Sequence, residues 1–132
     1  VDDMAKSVLQ SFLGQNLKAV FADRSPTPSG DRYSGLDLVF ERCRVRVTCT
    51  SDTDELVVVR SNEPQFGMLV HEPCHRFGAK VQFAWLAAND RGYTDLLVLA
   101  LGTAMPAIAV LAIAGELALL NLGEVGRTDQ PA

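Results

Sequence analysis

Apolar and polar side chains alternate along the middle of the chain. Leu36, Leu38 and Phe40 are separated by Asp37 and Val39, and Cys43, Val45, Val47 and Cys49 by Arg44, Arg46 and Thr48. A period of two is the mark of strands with one face in a core. A turn centred on Glu41-Arg42 sets Phe40 opposite Cys43, Leu38 opposite Val45 and Leu36 opposite Val47. That register gathers the apolar set on one face and puts Asp37 opposite Arg46 on the other. Ser51-Asp52-Thr53-Asp54 has the composition of a second tight reversal. With it, Cys49 faces Leu56 and Val47 faces Val58. The pattern predicts a three-stranded antiparallel meander over 34–60.

The flanks are read in the same way. Residues 2–13 predict a helix capped by Asp2 or Asp3 and ended by Gly14, with Met4, Val8, Leu9, Phe12 and Leu13 as its apolar stripe. A strand is expected over 17–22, and a loop over 24–32 with Pro26, Pro28 and Gly30 as breakers. Residues 61–78 are irregular and read as a long loop or a short helix. Val81, Phe83, Trp85 and Ala87 share one face of a hairpin that turns at Asn89-Asp90-Arg91-Gly92 and returns through 93–101. Both faces of this hairpin are apolar, so cover on both sides is expected. Strands near 107–113 and 117–122 complete the set. The expected fold is α+β: one domain over 1–132, with a helix over 1–14, a sheet over 15–123 and a frayed tail over 124–132. The sheet is expected to be mostly antiparallel, of about seven strands, and strongly bent or barrel-like.

Composition narrows the function classes. The chain has 132 residues, 48% hydrophobic and 21% charged, and a net charge of -4. A globular domain of this length builds a core without staples, and the acidic balance argues against nucleic acid as a partner. Residues 96–114 carry no charge, but Gly102 and Pro106 divide them into two strand-length runs, so no membrane span is expected. Cys43 and Cys49 on one strand lie ~20 Å apart, beyond disulfide reach. Together with Cys74 they read as reduced thiols, and with the acidic opening Val1-Asp2-Asp3 they give the expectation of a cytoplasmic protein. No Gly-rich phosphate loop and no nucleophile–base–acid set is recognisable, and no cofactor is expected.

One motif resembles catalytic chemistry. His71-Glu72-Pro73-Cys74-His75 fits H-E-x-x-H, and Gly78 extends it. In zincin metalloproteases two histidines four apart on a helix hold zinc, and the intervening glutamate is the base. That resemblance would make His71 and His75 ligands and Glu72 the base, but it covers five to eight residues. Pro73 breaks the helix the motif needs. These are the chain's two histidines, so a third ligand would have to be an acid, and Glu116 and Glu124 are remote. Two loop histidines are the favoured reading. Adventitious metal uptake by His71, Cys74 and His75 lies between the two, and a zinc-dependent hydrolase is the alternative function.

Two further clusters carry charge or aromatics. Arg42, Arg44 and Arg46 share a strand face and suggest a phosphate or acidic-partner site; the pairing of Arg46 with Asp37 favours a solvated face instead. Trp85, Asn89, Tyr93 and Asp95, with Gly92, gather at one hairpin end. An aromatic pair beside an amide and a carboxylate suits a polar binding pocket, and it equally suits a locked turn. Asp95 opens an apolar strand, where a buried carboxylate needs a partner.

The run from Trp85 to Asp95, W-x3-N-x2-G-Y-x-D, resembles a stretch of small bacterial proteins catalogued as a domain of unknown function, and Asp52 to Leu56 is similar to another stretch of them. The likeness spans most of residues 16–122. It implies no activity, because none is established for that family, and favours a stand-alone binding or immunity-type protein over an enzyme. The functional expectation is a non-enzymatic binding module for a protein partner or small ligand. A structural subunit that self-associates through a sheet edge or the 96–122 region is the further alternative.

Overall fold

The computed structural model describes residues 3–23, 32–61, 67–71 and 80–122. Helix α1 spans Asp3–Phe12. Ten strands follow: β1 Leu17–Ala22, β2 Arg32–Tyr33, β3 Leu36–Phe40, β4 Arg44–Cys49, β5 Leu56–Ser61, β6 Met68–His71, β7 Val81–Ala88, β8 Thr94–Leu101, β9 Pro106–Ile113 and β10 Glu116–Asn121. They form two five-stranded sheets, β5-β4-β3-β1-β6 and β2-β10-β9-β8-β7, in which every pairing is antiparallel.

The meander has the register its alternation predicts. Leu36 pairs with Val47, Asp37 with Arg46 and Leu38 with Val45. Val47 pairs with Val58 and Cys49 with Leu56. The Phe40 amide donates to the Cys43 carbonyl at 2.9 Å across the Glu41-Arg42 turn. Leu36, Leu38, Val45 and Val47 are fully buried.

The α+β class holds, but seven strands in one bent or closed sheet do not. β2 and β6 have two and four residues, too short to carry an alternation of their own. β6 runs through the segment expected to be loop or helix and adds to β1. β2 lies between β1 and β3 in the chain yet joins β10 in the second sheet, so the chain crosses between layers there. Each sheet keeps two edges, and the two layers share one core. Val20, Leu38, Val45 and Val58 from the first sheet cluster with Leu97, Leu99, Ile108, Val110 and Leu117 from the second.

α1 lies against this sandwich beside β5. Leu9 and Phe12 are buried, and the Phe12 ring stacks on Phe40 at 4.5 Å. Met4 and Leu13, expected in the buried stripe, are 75% and 43% exposed. The helix exit is pinned to both layers. The Gln15 side-chain carbonyl accepts from the Arg42 amide at 2.8 Å, and the Gln15 backbone carbonyl accepts from the Val81 amide at 2.9 Å.

The β7–β8 hairpin also departs from expectation. A bulge between Val81 and Phe83 shifts the alternation by one residue. Val81 therefore faces the core while Phe83, Trp85 and Ala87 face outward. Phe83 and Trp85 are 47% and 42% exposed, so this hairpin is not covered on both sides. The loop expected over 24–32 up to Asp31, and the tail from 124, lie outside the described residues.

Candidate functional site

A groove of about 410 Å3 opens between α1, strand β5 and the inner side of the β7–β8 hairpin. Met4, Ala5 and Val8 of the helix form one wall. Glu55 and the β5 residues Leu56 to Arg60 form the other, and Leu86 and Thr94 close the end. The lining is apolar apart from three groups: the Thr94 hydroxyl, on a buried residue, and the side chains of Glu55 and Arg60 at the two ends. An apolar cleft of this size with a few placed polar groups is the usual form of a binding site.

β5 gives the groove its chemistry because it is the edge of its sheet. The Thr50 amide donates to the Glu55 carbonyl at 3.0 Å. In an antiparallel ladder such pairs alternate, so Val57, Val59 and Ser61 turn their main-chain groups to β4. Leu56, Val58 and Arg60 then direct theirs away from β4, along the groove. β5 also has apolar side chains on both faces. Leu56 and Val58 are 7% exposed and reach the core, whereas Val57 and Val59 are 40% and 51% exposed.

A second depression, of about 390 Å3, lies at the β3–β4 turn and is lined by Lys18, Glu41, Arg42, Arg44 and Ser61 among others. It contains part of the basic stripe. Glu41 there accepts from the Asn16 amide at 2.9 Å, so its acid is already engaged. Arg46, the third arginine, is committed elsewhere. Its guanidinium donates to both oxygens of Asp37 at 3.1 and 3.0 Å and is hydrogen-bonded to Asp23. Asp37 is 6% exposed. The hydrogen bond that Arg46 donates to Asp23, and the neighbouring Asp37, raise the Arg46 pKa against the opposing effect of burial. Gly35 leaves room for this pair, since a Cβ there would stand 2.7 Å from an Arg46 nitrogen.

The hairpin cluster is divided between two roles. The Asn89 side-chain carbonyl accepts from the Arg91 and Tyr93 amides at 2.9 and 3.1 Å, and the Asn89 amide donates to the Tyr93 carbonyl at 2.8 Å. With Gly92 at φ 87° this is a turn that closes on itself. Trp85 stands ~13 Å back along the strand, stacked on Phe83 at 5.7 Å on the outer face. Tyr93 and Asp95 are half-buried, Asp95 beside a second bulge. Leu86 and Thr94, from the same hairpin, point the other way into the groove.

His71 closes strand β6, pairing with Val20. The motif needs both histidines one turn apart on a helix, and the first of them lies in a strand. Glu72, Cys74 and His75 lie outside the described residues. Among the described residues no three of His, Cys, Asp and Glu come together as metal ligands, and no helix is long and apolar enough to cross a membrane. Cys49 is half-buried; burial and then the carboxylates of Asp54 and Glu116 push its thiol pKa up, away from nucleophilic chemistry.

The groove residues Leu56, Val58, Arg60, Leu86 and Thr94 were not singled out by sequence reasoning. The signal was present: four consecutive apolar residues between Glu55 and Arg60, polar on neither face, mark a strand with something to cover beyond the core.

Two antiparallel sheets sharing a core, with one helix beside an open edge, define an α+β domain. Residues 4–126 match the family of unknown function DUF6334, and the chain belongs to that family. No curated protein and no solved structure matches it.

Proposed function

We propose that this domain is a binding module that takes an extended segment of a protein partner along the edge of β5. One observation carries the reading: the groove follows five consecutive residues of the edge strand β5, three of which direct their main-chain donors and acceptors into it. An added strand satisfies those groups, and its alternate side chains fill the apolar space beside Val8 and Leu86.

Charge sets the direction. Glu55 and Arg60 stand at opposite ends of the groove, so the segment carries a basic residue at the Glu55 end and an acidic one at the Arg60 end. All other pairings in the domain are antiparallel, and an antiparallel guest runs from the Arg60 end to the Glu55 end. The matching sequence is therefore acid first, then alternating apolar residues, then base.

Calorimetric titration of the full chain with the acetylated, amidated peptide Glu-Val-Thr-Val-Thr-Val-Lys tests this. Saturable binding is expected, weakened about tenfold or more by Arg60→Glu, which inverts the charge at one end. The peptide with its Glu and Lys exchanged is expected to bind more weakly than the original. No binding of either peptide, or equal binding of both by wild type and Arg60→Glu, contradicts the proposal. Binding of octanoate in place of both peptides would identify the groove as a small-molecule site instead.

A further inference from the structure

Thr94 differs from the rest of the groove lining. Every other lining side chain between the charges of Glu55 and Arg60 is apolar. Thr94 is 9% exposed, and its hydroxyl takes part in no hydrogen bond among the described residues. Buried polar groups nearly always have a partner, and one left dry and unpaired is costly. A bulge aims this residue into the groove: Ala87 pairs with Leu96, but Ala88 pairs with Thr94. Without the extra residue, the alternation of β8, whose Leu97 and Leu99 are in the core, would turn position 94 outward. The hydroxyl stands at the Glu55 end. β8 pairs with β9 as Leu97 with Val110 and Leu96 with Leu111. Continued by two residues, that register brings Thr94 beside Ile113 and the Ala114-Gly115 turn, whose amides donate to Asp54, the residue before Glu55.

We infer that Thr94 is a specificity residue of the groove: its hydroxyl hydrogen-bonds the groove-facing side chain of the guest nearest the Glu55 end, and so favours a hydroxyl or carboxamide there over an aliphatic group. The inference rests on the β5 reading and names the chemistry of one guest position. While the groove is open, water reaches the hydroxyl. A guest strand expels that water. A guest with valine at this position leaves the hydroxyl dry and unpaired, whereas threonine, of nearly the same shape, takes the place of the water. Sites that hydrogen-bond a ligand group reject the analogue lacking it more strongly than an apolar wall rejects a change of one methylene. In an antiparallel guest running from the Arg60 end, the position concerned is the last groove-facing residue before the base.

Calorimetric titration of the full chain with Glu-Val-Thr-Val-Thr-Val-Lys and with Glu-Val-Thr-Val-Thr-Thr-Lys, both acetylated and amidated, tests the inference. Wild type is expected to bind the second peptide about fivefold tighter or more, the scale of one hydrogen bond made in place of one hydroxyl left dry. Thr94→Val, which nearly keeps the shape of the side chain and removes the hydroxyl, is expected to lose that preference, and Thr94→Ser to keep it. The thermal midpoint of free Thr94→Val is expected to equal or exceed that of wild type, because the hydroxyl bonds nothing within the fold. Equal binding of the two peptides by wild type overturns the inference and leaves the β5 reading standing, as does a preference that survives Thr94→Val. A lowered midpoint in Thr94→Val also overturns it, since the hydroxyl would then have a partner inside the domain. Binding of neither peptide overturns the β5 reading, and this inference with it.

Discussion

At the scale of single residues, the Asp23–Arg46–Asp37 group shows how charge is handled on the outer side of the first sheet. Asp37 is buried beside the Arg46 guanidinium, 3.0 Å away. Removing the arginine leaves a largely buried carboxylate unpaired, a more costly state than removing both partners. Arg46→Ala is expected to destabilise the fold by about 2 kcal/mol in urea denaturation, with Arg46 part-exposed and the effect reduced accordingly. Asp37→Asn in the Arg46→Ala background is expected to recover part of the loss; no recovery would mean that the pair does not act as a pair. Cys49 gives a pH prediction. The fold raises its thiol pKa, so the folded state holds the proton more tightly than the unfolded state. The associated stability is present below the ordinary thiol value and lost as pH rises through the folded-state value. The unfolding midpoint is expected to fall more steeply with alkaline pH in wild type than in Cys49→Ala, and alkylation of Cys49 to be slow at neutral pH.

At the scale of elements, the β9–β10 turn is fixed from the other sheet. Ala114 and Gly115 have φ of 52° and 80°, and the Asp54 carboxylate accepts from both amides, at 3.2 and 2.6 Å. Asp54 sits in the β4–β5 turn, so one side chain ties the two layers together. Asp54→Ala is expected to cost about 1–3 kcal/mol, as two charge-assisted hydrogen bonds are lost. Ala114→Gly is expected to add about 1 kcal/mol by relieving a left-handed conformation that alanine adopts poorly. Thermal unfolding of the two variants measures both, and a destabilised Ala114→Gly would contradict the turn geometry.

The same elements show what was legible in the sequence. Every pairing predicted for the meander is found, because an alternation of two fixes register wherever one face is buried. β1, β9 and β10 were legible as strand-length apolar runs, β9 set off from β8 by Gly102 and Pro106. The short strands β2 and β6 were not, since two and four residues do not make a period. The bulge at Val81–Phe83 was invisible, and it alone decides whether Trp85 faces the core or the outside. Of the residues picked as a candidate site, Asn89 is consumed by its turn and Trp85 faces outward. The groove was missed because it is assembled from α1, β5 and the β7–β8 hairpin, whose proximity depends on the order of strands in the two sheets.

At the scale of the whole molecule, the two sheets leave two surfaces uncovered in different ways. The β5 edge is lined along its length by apolar side chains, with charges at its ends; the outer face of the second sheet is apolar over β7, β8 and β9, with Arg32 and Glu116 at its β2–β10 margin. Both follow from the same restriction: a sandwich with one helix has more apolar faces and strand edges than it has elements to cover them. The central claim is that β5 receives a strand. Amide chemical shifts and hydrogen exchange, recorded by nuclear magnetic resonance on 15N-labelled protein with and without the Glu-Val-Thr-Val-Thr-Val-Lys peptide, test it most directly. The account predicts that the amides of Leu56, Val58 and Arg60 shift and become protected from exchange while those of Val57 and Val59, already paired to β4, change little. Shifts confined to the Lys18–Arg42 depression or the outer face, or no protection at Leu56, Val58 and Arg60 at saturating peptide, would contradict it.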